Sequence, residues 1–349
     1  MLDEYALTPD VFDPSCYSAP NLCTVYLQVL KEPLLQEAVV RDLRMGEWRE
    51  FVLGEIQKGR FDLRAKELVK KLVTQNRLRP ASAQLDHVPA DDRQWCEEAI
   101  QSVTAKPANG VIVSETMADR FSAQSQVCSV ERLSQANWWR IAGQSQQVSR
   151  TTVAYLQTLK CLLQCARSLV FIDPHLNPSE KRYSEFVQLL LAARRTNPPQ
   201  PHIEIHRVCY ESSKNKGQFP AKWERRFRGG KGAAAAHDGQ FPANREWERR
   251  FRTAWDARLR AAGLRARVFI WDSFHDRFLI TDLMGLALTN GFDVSADPAK
   301  QVVFSRLSRK DRENCEREFS PNAHRHELWH SFDVGQPTRA HEVGNAQTI

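Results

Sequence analysis

No run of 18 apolar residues occurs in the 349-residue chain, so no segment is expected to cross a membrane as a helix. The first residues carry Asp3 and Glu4 where a secreted chain would have a basic and then an apolar stretch, so export is not expected. Cysteines stand at 16, 23, 96, 128, 161, 165, 209 and 315 and form no CxxC pair, which removes the commonest zinc and redox motifs. Cys161 and Cys165 fall in a helical pattern and read as small apolar packing residues. The expectation is reduced thiols in a cytoplasmic protein, with no cofactor and no resident metal.

What the chain does have is a 42% apolar content, enough for one large or two modest domains. It also has an uneven charge. Residues 214–267 hold 15 Lys and Arg against 5 Asp and Glu, an excess of +10, whereas the whole chain carries only +7. The remainder is therefore negative, and the positive excess is concentrated in one segment. Such a patch attracts polyanions, nucleic acid above all, because binding releases the counterions condensed on phosphate. Arg225, Arg226, Arg249 and Arg250 are its natural contacts. They belong to an internal repeat, in which GQFPA recurs at 217–221 and 239–243 and WERRFR at 223–228 and 247–252. This reads as a duplication carried in a loop insertion near 211–245, since loops accept added length at small entropic cost.

Along the chain, residues 1–22 are rich in turn formers and are expected on the surface. Residues 25–76 show helical apolar spacing, ended by Pro80, and Asp91-Asp92 predicts an N-cap for a helix through Val103. Residues 1–108 are thus expected to be a mainly helical region able to meet a protein partner. Apolar strands at 110–114, 169–172, 203–208 and 268–271 then alternate with amphipathic helices at 153–166 and 183–195, the order of an α/β domain spanning 109–334. A polar tail occupies 335–349.

The sharpest chemical signal is FHDRFLITD at 274–282, between apolar segments on both sides. Read as a strand, it points His275 and Arg277 to the same side. An imidazole can attack phosphorus while a fixed cation holds the anionic oxygens. Two further places could support such a site. Thr289-Asn290-Gly291 makes a small turn downstream, and Asp173 and His175 end the strand at 169–172, where loops after strand carboxyl ends line functional crevices.

The spacing of His275, Arg277 and Asp282 resembles the HxKx4D motif of the phospholipase D superfamily, with arginine in the lysine position. The resemblance covers about 151–332 and is closest to single-motif bacterial nuclease-like members. The chain is also similar to the C-terminal phospholipase D-like domain of microtubule-interacting proteins. It implies an α/β/α sandwich with a mixed sheet and a metal-independent phosphodiesterase, a nuclease acting on DNA or RNA, with a part in defence against phage by analogy. His275 would form a phosphohistidine, Arg277 would grip phosphate and Asp282 would orient the imidazole. Asn290, Thr289, Asp173 and His175 would bind phosphate or support the site. With one motif per chain, the complete site implies a homodimer. The Gly-Ser-x-Asn order that follows the motif in the family is absent, and arginine binds phosphate in a different geometry from lysine. A lapsed module that binds nucleic acid or anionic lipid without cleaving it is therefore the second reading. The third comes from His326-Glu327-Leu328-Trp329-His330, which matches the HExxH of zinc proteases but lacks a credible third ligand, so no zinc is expected there.

Overall fold

The computed structural model describes residues 1–139, 145–196, 199–209, 242–297, 299–323 and 325–335. The chain is mixed α/β and builds two sheets, one wholly parallel and one mixed. The first is formed by β1 (Asp3–Leu7), β2 (Ala38–Asp42), β3 (Leu78–Pro80), β4 (Gly110–Val113) and β5 (Val127–Ser129), in the order β3-β2-β1-β4-β5. Every pairing in it is parallel. Helices Pro20–Gln36, Glu47–Gln57, Leu63–Thr74 and Asp92–Ala105 make the connections. A parallel sheet needs both faces covered, and β2 and β4 are accordingly buried along their whole length. The caps follow sequence chemistry. Asp62 accepts from the Arg64 amide and Asp91 from the Gln94 amide, meeting donors that the first helical turn leaves unpaired.

Residues 1–108 are richer in helix than in strand, but their helices enclose a parallel sheet that the helical pattern did not announce. β1 lies within the segment expected to wrap the surface, and β2 falls inside the helical pattern read over 25–76. The reason is physical: apolar doublets at 34–35 and 38–40 mimic helical spacing, but a five-residue strand buried on both faces has no alternation to betray it. β4 pairs with β1, so the first sheet draws on residues as far as Ser129 rather than ending at 108.

The second sheet contains β6 (Ser145–Ser149), β7 (Ser168–Ile172), β8 (His202–Val208), β9 (Ala266–Trp271), β10 (Phe278–Thr281), β11 (Gly285–Leu288), β12 (Gln301–Arg306) and β13 (Leu328–Val334). Its order is β13-β9-β8-β7-β10-β11-β12-β6. β7, β8 and β9 run parallel, and the remaining pairings are antiparallel. One face packs on helices Thr152–Cys165, Val187–Ala192 and Pro242–Ala261, through a core that includes Leu159, Leu190, Phe251, Trp255 and Leu259. The other face carries a smaller core in which Ile172, Phe269, Trp271 and Ile280 meet Cys315 and Phe319, in and just after helix Arg309–Glu318. Alternation along β7, β9 and β10 feeds the two cores.

The units are joined by polar contacts as well as packing. Asn76 Nδ2 donates to Asp282 Oδ2 at 2.7 Å, Arg77 donates to the Leu283 carbonyl, and Arg306 pairs with Glu37. No helix among the described residues is long and apolar enough to cross a membrane.

Candidate functional site: the carboxyl edge of the mixed sheet

β10 runs antiparallel to β7, with Phe278 opposite Ile172 and Thr281 opposite Leu169. The start of β10 therefore lies beside the carboxyl end of β7. Everything just before Phe278 and just after Ile172 shares one edge of the sheet; Arg277, Asp173 and His175 interact there, and His275 leaves the sheet at the same edge. His275 and Arg277 lie in the segment leading into β10 rather than on the strand, after the chain bends at Asp272 beyond β9. His275 is exposed and Arg277 half-buried. Arg277 forms no ion pair within 4.0 Å among the described residues; its one recorded bond is from Nη1 to the carbonyl of His275, at 3.3 Å. It is a cation held at the edge with its charge unspent.

Asp173 is wholly buried behind it. Oδ1 accepts from the His175 amide at 3.0 Å, and Oδ2 accepts from Tyr183 Oη and from the Phe292 amide, both at 3.0 Å. Burial pushes its carboxyl pKa up, opposed by those donors and by Arg277. Gly291 explains the tightness. Its φ of +77° is left-handed, and a Cβ there would lie 2.3 Å from Asp173 Oδ2 and 3.2 Å from Arg277 Cδ. The backbone of the downstream turn thus presses on both residues. His175 is half-buried, with Nδ1 enclosed and without a hydrogen-bond partner. Burial and then the charges of Arg277, Arg182 and Arg207 push its pKa down, against a smaller opposing effect of Glu180. Beyond it, Asp293 takes ion pairs from Arg150 and, at 3.9 Å, from Arg182. Tyr183, Arg182 and Asp293 escaped sequence reading, whereas Gly291 was part of the turn expected downstream. Only the left-handed glycine, next to Asn290, had a local signal.

Three expected roles are not met. Asp282 sits at the far end of β10, about 13 Å from the start of the strand at the usual rise. Its Oδ1 accepts from the amides of Arg167 and Ser168 at 2.7 and 3.3 Å, and its Oδ2 from Asn76. It ties the base of β7 and the first unit to β10 and does not orient His275. Thr289 and Asn290 turn toward β12: Thr289 Oγ1 accepts from the Val303 amide at 3.1 Å, and Asn290 Nδ2 donates to the Gln301 carbonyl at 3.3 Å. They brace the turn against β12.

The HExxH segment is not a helix. His326 lies in a bend and His330 on β13, so the two imidazoles do not stand one helical turn apart. His326 meets Glu318 at 2.8 Å and His330 meets Glu248 at 3.3 Å. Of the basic segment, Arg225 and Arg226 lie outside the described residues. Arg249 and Arg250 stand on helix Pro242–Ala261, and both pair with Glu246, at 2.8 and 2.7 Å. Arg249 remains largely exposed, while Arg250 is half-covered and stacks on Trp247.

No protein-family model matches the sequence, and no curated protein matches it. Among solved structures, the archaeal chromatin protein TrmBL2, described as showing a novel mode of DNA binding, aligns at 11% identity over 73% of this chain and 78% of that one, with a TM-score of 0.25. Polyphosphate kinase from Porphyromonas gingivalis aligns at 9% identity over 90% of this chain and 44% of that one, also at 0.25. Likeness at that level establishes neither fold family nor function.

Proposed function

We propose that this chain is a phosphodiesterase of the phospholipase D type acting on nucleic acid, with His275 as nucleophile and Arg277 as the phosphate anchor. The observation that carries the reading is the unspent charge of Arg277 beside an exposed imidazole, at the carboxyl edge of parallel strands. A guanidinium presents a planar fork to phosphate oxygens, and a cation aimed where charge develops is among the larger catalytic contributions. The exposed Arg249, on the helix that covers one face of the same sheet, would add salt-sensitive affinity for the polymer. The reaction needs no metal in this reading, since imidazole and guanidinium supply nucleophile and counter-charge.

One specific observation favours the lapsed alternative, binding of nucleic acid or anionic lipid without cleavage. Thr289 and Asn290 are engaged with β12 and give nothing to a phosphate. Cleavage of a labelled oligonucleotide in excess EDTA separates the two readings. The expected result is turnover in wild type, none in His275→Ala with binding retained, and loss of both in Arg277→Ala. Binding without cleavage in wild type, unchanged by His275→Ala, would establish the lapsed module instead. Arg277→Lys, which restores the family's usual residue, is expected to retain cleavage.

A further inference from the structure

A histidine that attacks phosphorus leaves half the reaction undone: the departing oxygen needs a proton, and the resulting phosphohistidine needs an activated water. With one motif in the chain, a second copy was the expected source of the second histidine. The sheet offers another. His275 and His175 each lie three residues beyond the last paired residues of their strands, Phe278 and Ile172, on neighbouring strands of opposite direction. They leave the sheet at the same edge, with Arg277 close enough to act electrostatically on both Asp173 and His175. Resting on the phosphodiesterase reading above, we propose that His175 of the same chain is the second histidine of the site, donor of the proton to the leaving oxygen.

The surroundings of His175 suit that task. Its amide is fixed on Asp173 Oδ1 at 3.0 Å, and Asp173 is itself held by Tyr183 and Phe292, so the ring is carried on a braced loop. Nδ1 is enclosed and without a hydrogen-bond partner, so the proton is assigned to Nε2. Burial first, then the charges of Arg277, Arg182 and Arg207, push the pKa of the ring down, with Glu180 opposing them. A phosphodiester bound at Arg277 cancels part of that field, so substrate binding itself favours the imidazolium that the first step requires.

The steps then balance. His275 donates a lone pair to phosphorus and a P–N bond forms. The P–O bond to the leaving group breaks, and that oxygen takes the proton from His175 Nε2. Water next attacks phosphorus and gives its proton to His175, while the P–N bond breaks and its electron pair returns to His275.

Two probes of different leaving group test this. Bis(p-nitrophenyl) phosphate loses a phenolate that needs no proton, whereas an oligodeoxynucleotide loses an alkoxide that does. In His175→Asn and His175→Gln, oligonucleotide cleavage should fall about 100-fold or more, the usual range for losing a general acid. With the p-nitrophenyl ester both variants should release about one nitrophenolate per chain near the wild-type rate and then stall. Phosphohistidine should accumulate on His275, because water lacks its base. Equal losses on both probes without a burst would make His175 merely structural. Wild-type oligonucleotide cleavage in both variants would return the proton to a second copy of the chain, and either result overturns the inference alone. If His275→Ala cleaves like wild type, or wild type cleaves neither probe, the phosphodiesterase reading falls and the inference with it.

Discussion

The two ends of β10 receive parts of one motif and treat them oppositely. At its start, His275 stands exposed and Arg277 keeps its charge free of any ion pair among the described residues. At its finish, Asp282 is saturated by two backbone amides and the Asn76 side chain, and so is bound to the first unit. A group left unsatisfied at a sheet edge can act on a ligand. One that has collected its full set of donors is architecture, whatever its spacing to a histidine.

Substitutions at the two ends of β10 test that contrast. The largest effect belongs to the open end. His275→Ala should remove oligonucleotide cleavage to background while the melting temperature stays within a degree or two of wild type. A measurable residual rate with intact folding would mean that another group attacks phosphorus. Next comes Gly291→Ala, whose Cβ would meet Asp173 Oδ2 at 2.3 Å in a left-handed backbone. Disturbing Asp173 and Arg277 together should cost about 1–3 kcal/mol of stability and at least tenfold in substrate affinity. An unperturbed variant would show that the turn has slack.

At the closed end, Asp282→Asn should destabilise by about 1–3 kcal/mol, since an amide nitrogen would confront a donor now satisfied by carboxylate. The turnover of the folded fraction should match wild type. A fall in kcat at unchanged stability would restore the orienting role that the sequence suggested. The smallest effect is expected at the helix surface. Arg249→Glu with Arg250→Glu should weaken oligonucleotide binding a few-fold and flatten its dependence on salt, because both arginines already share Glu246. Equal binding by the variant across a salt titration would confine the polyanion contact to the sheet edge.

The second unit was legible because its strands carry contrast. Val268 to Trp271 and Leu169 to Ile172 are short apolar runs flanked by amphipathic helices, and they do lie in one sheet. The first unit was not, because β2 is buried on both faces and carries no alternation, while Leu34, Leu35, Val39 and Val40 imitate the spacing of a helix. Within the site, residue types and proximity in sequence pointed to His275, Arg277, Asp173 and His175. Nothing local marked Tyr183, Arg182 or Asp293, which reach that edge only through the packing of later elements.

Sequence by itself determined the chemical inventory: an imidazole and a guanidinium two residues apart, a second imidazole after an apolar strand, an excess of arginine, and no apolar stretch long enough to span a membrane. Tertiary structure decided which of these groups are free to act. Placing β10 antiparallel to β7 put His275 at the same sheet edge as His175, and the same antiparallel direction sent Asp282 to the other end of the strand. Spacing along a chain is a one-dimensional distance, but whether a charge is left unspent depends on which donors the folded neighbours bring to it, and those come from more than a hundred residues away in the case of Asp282.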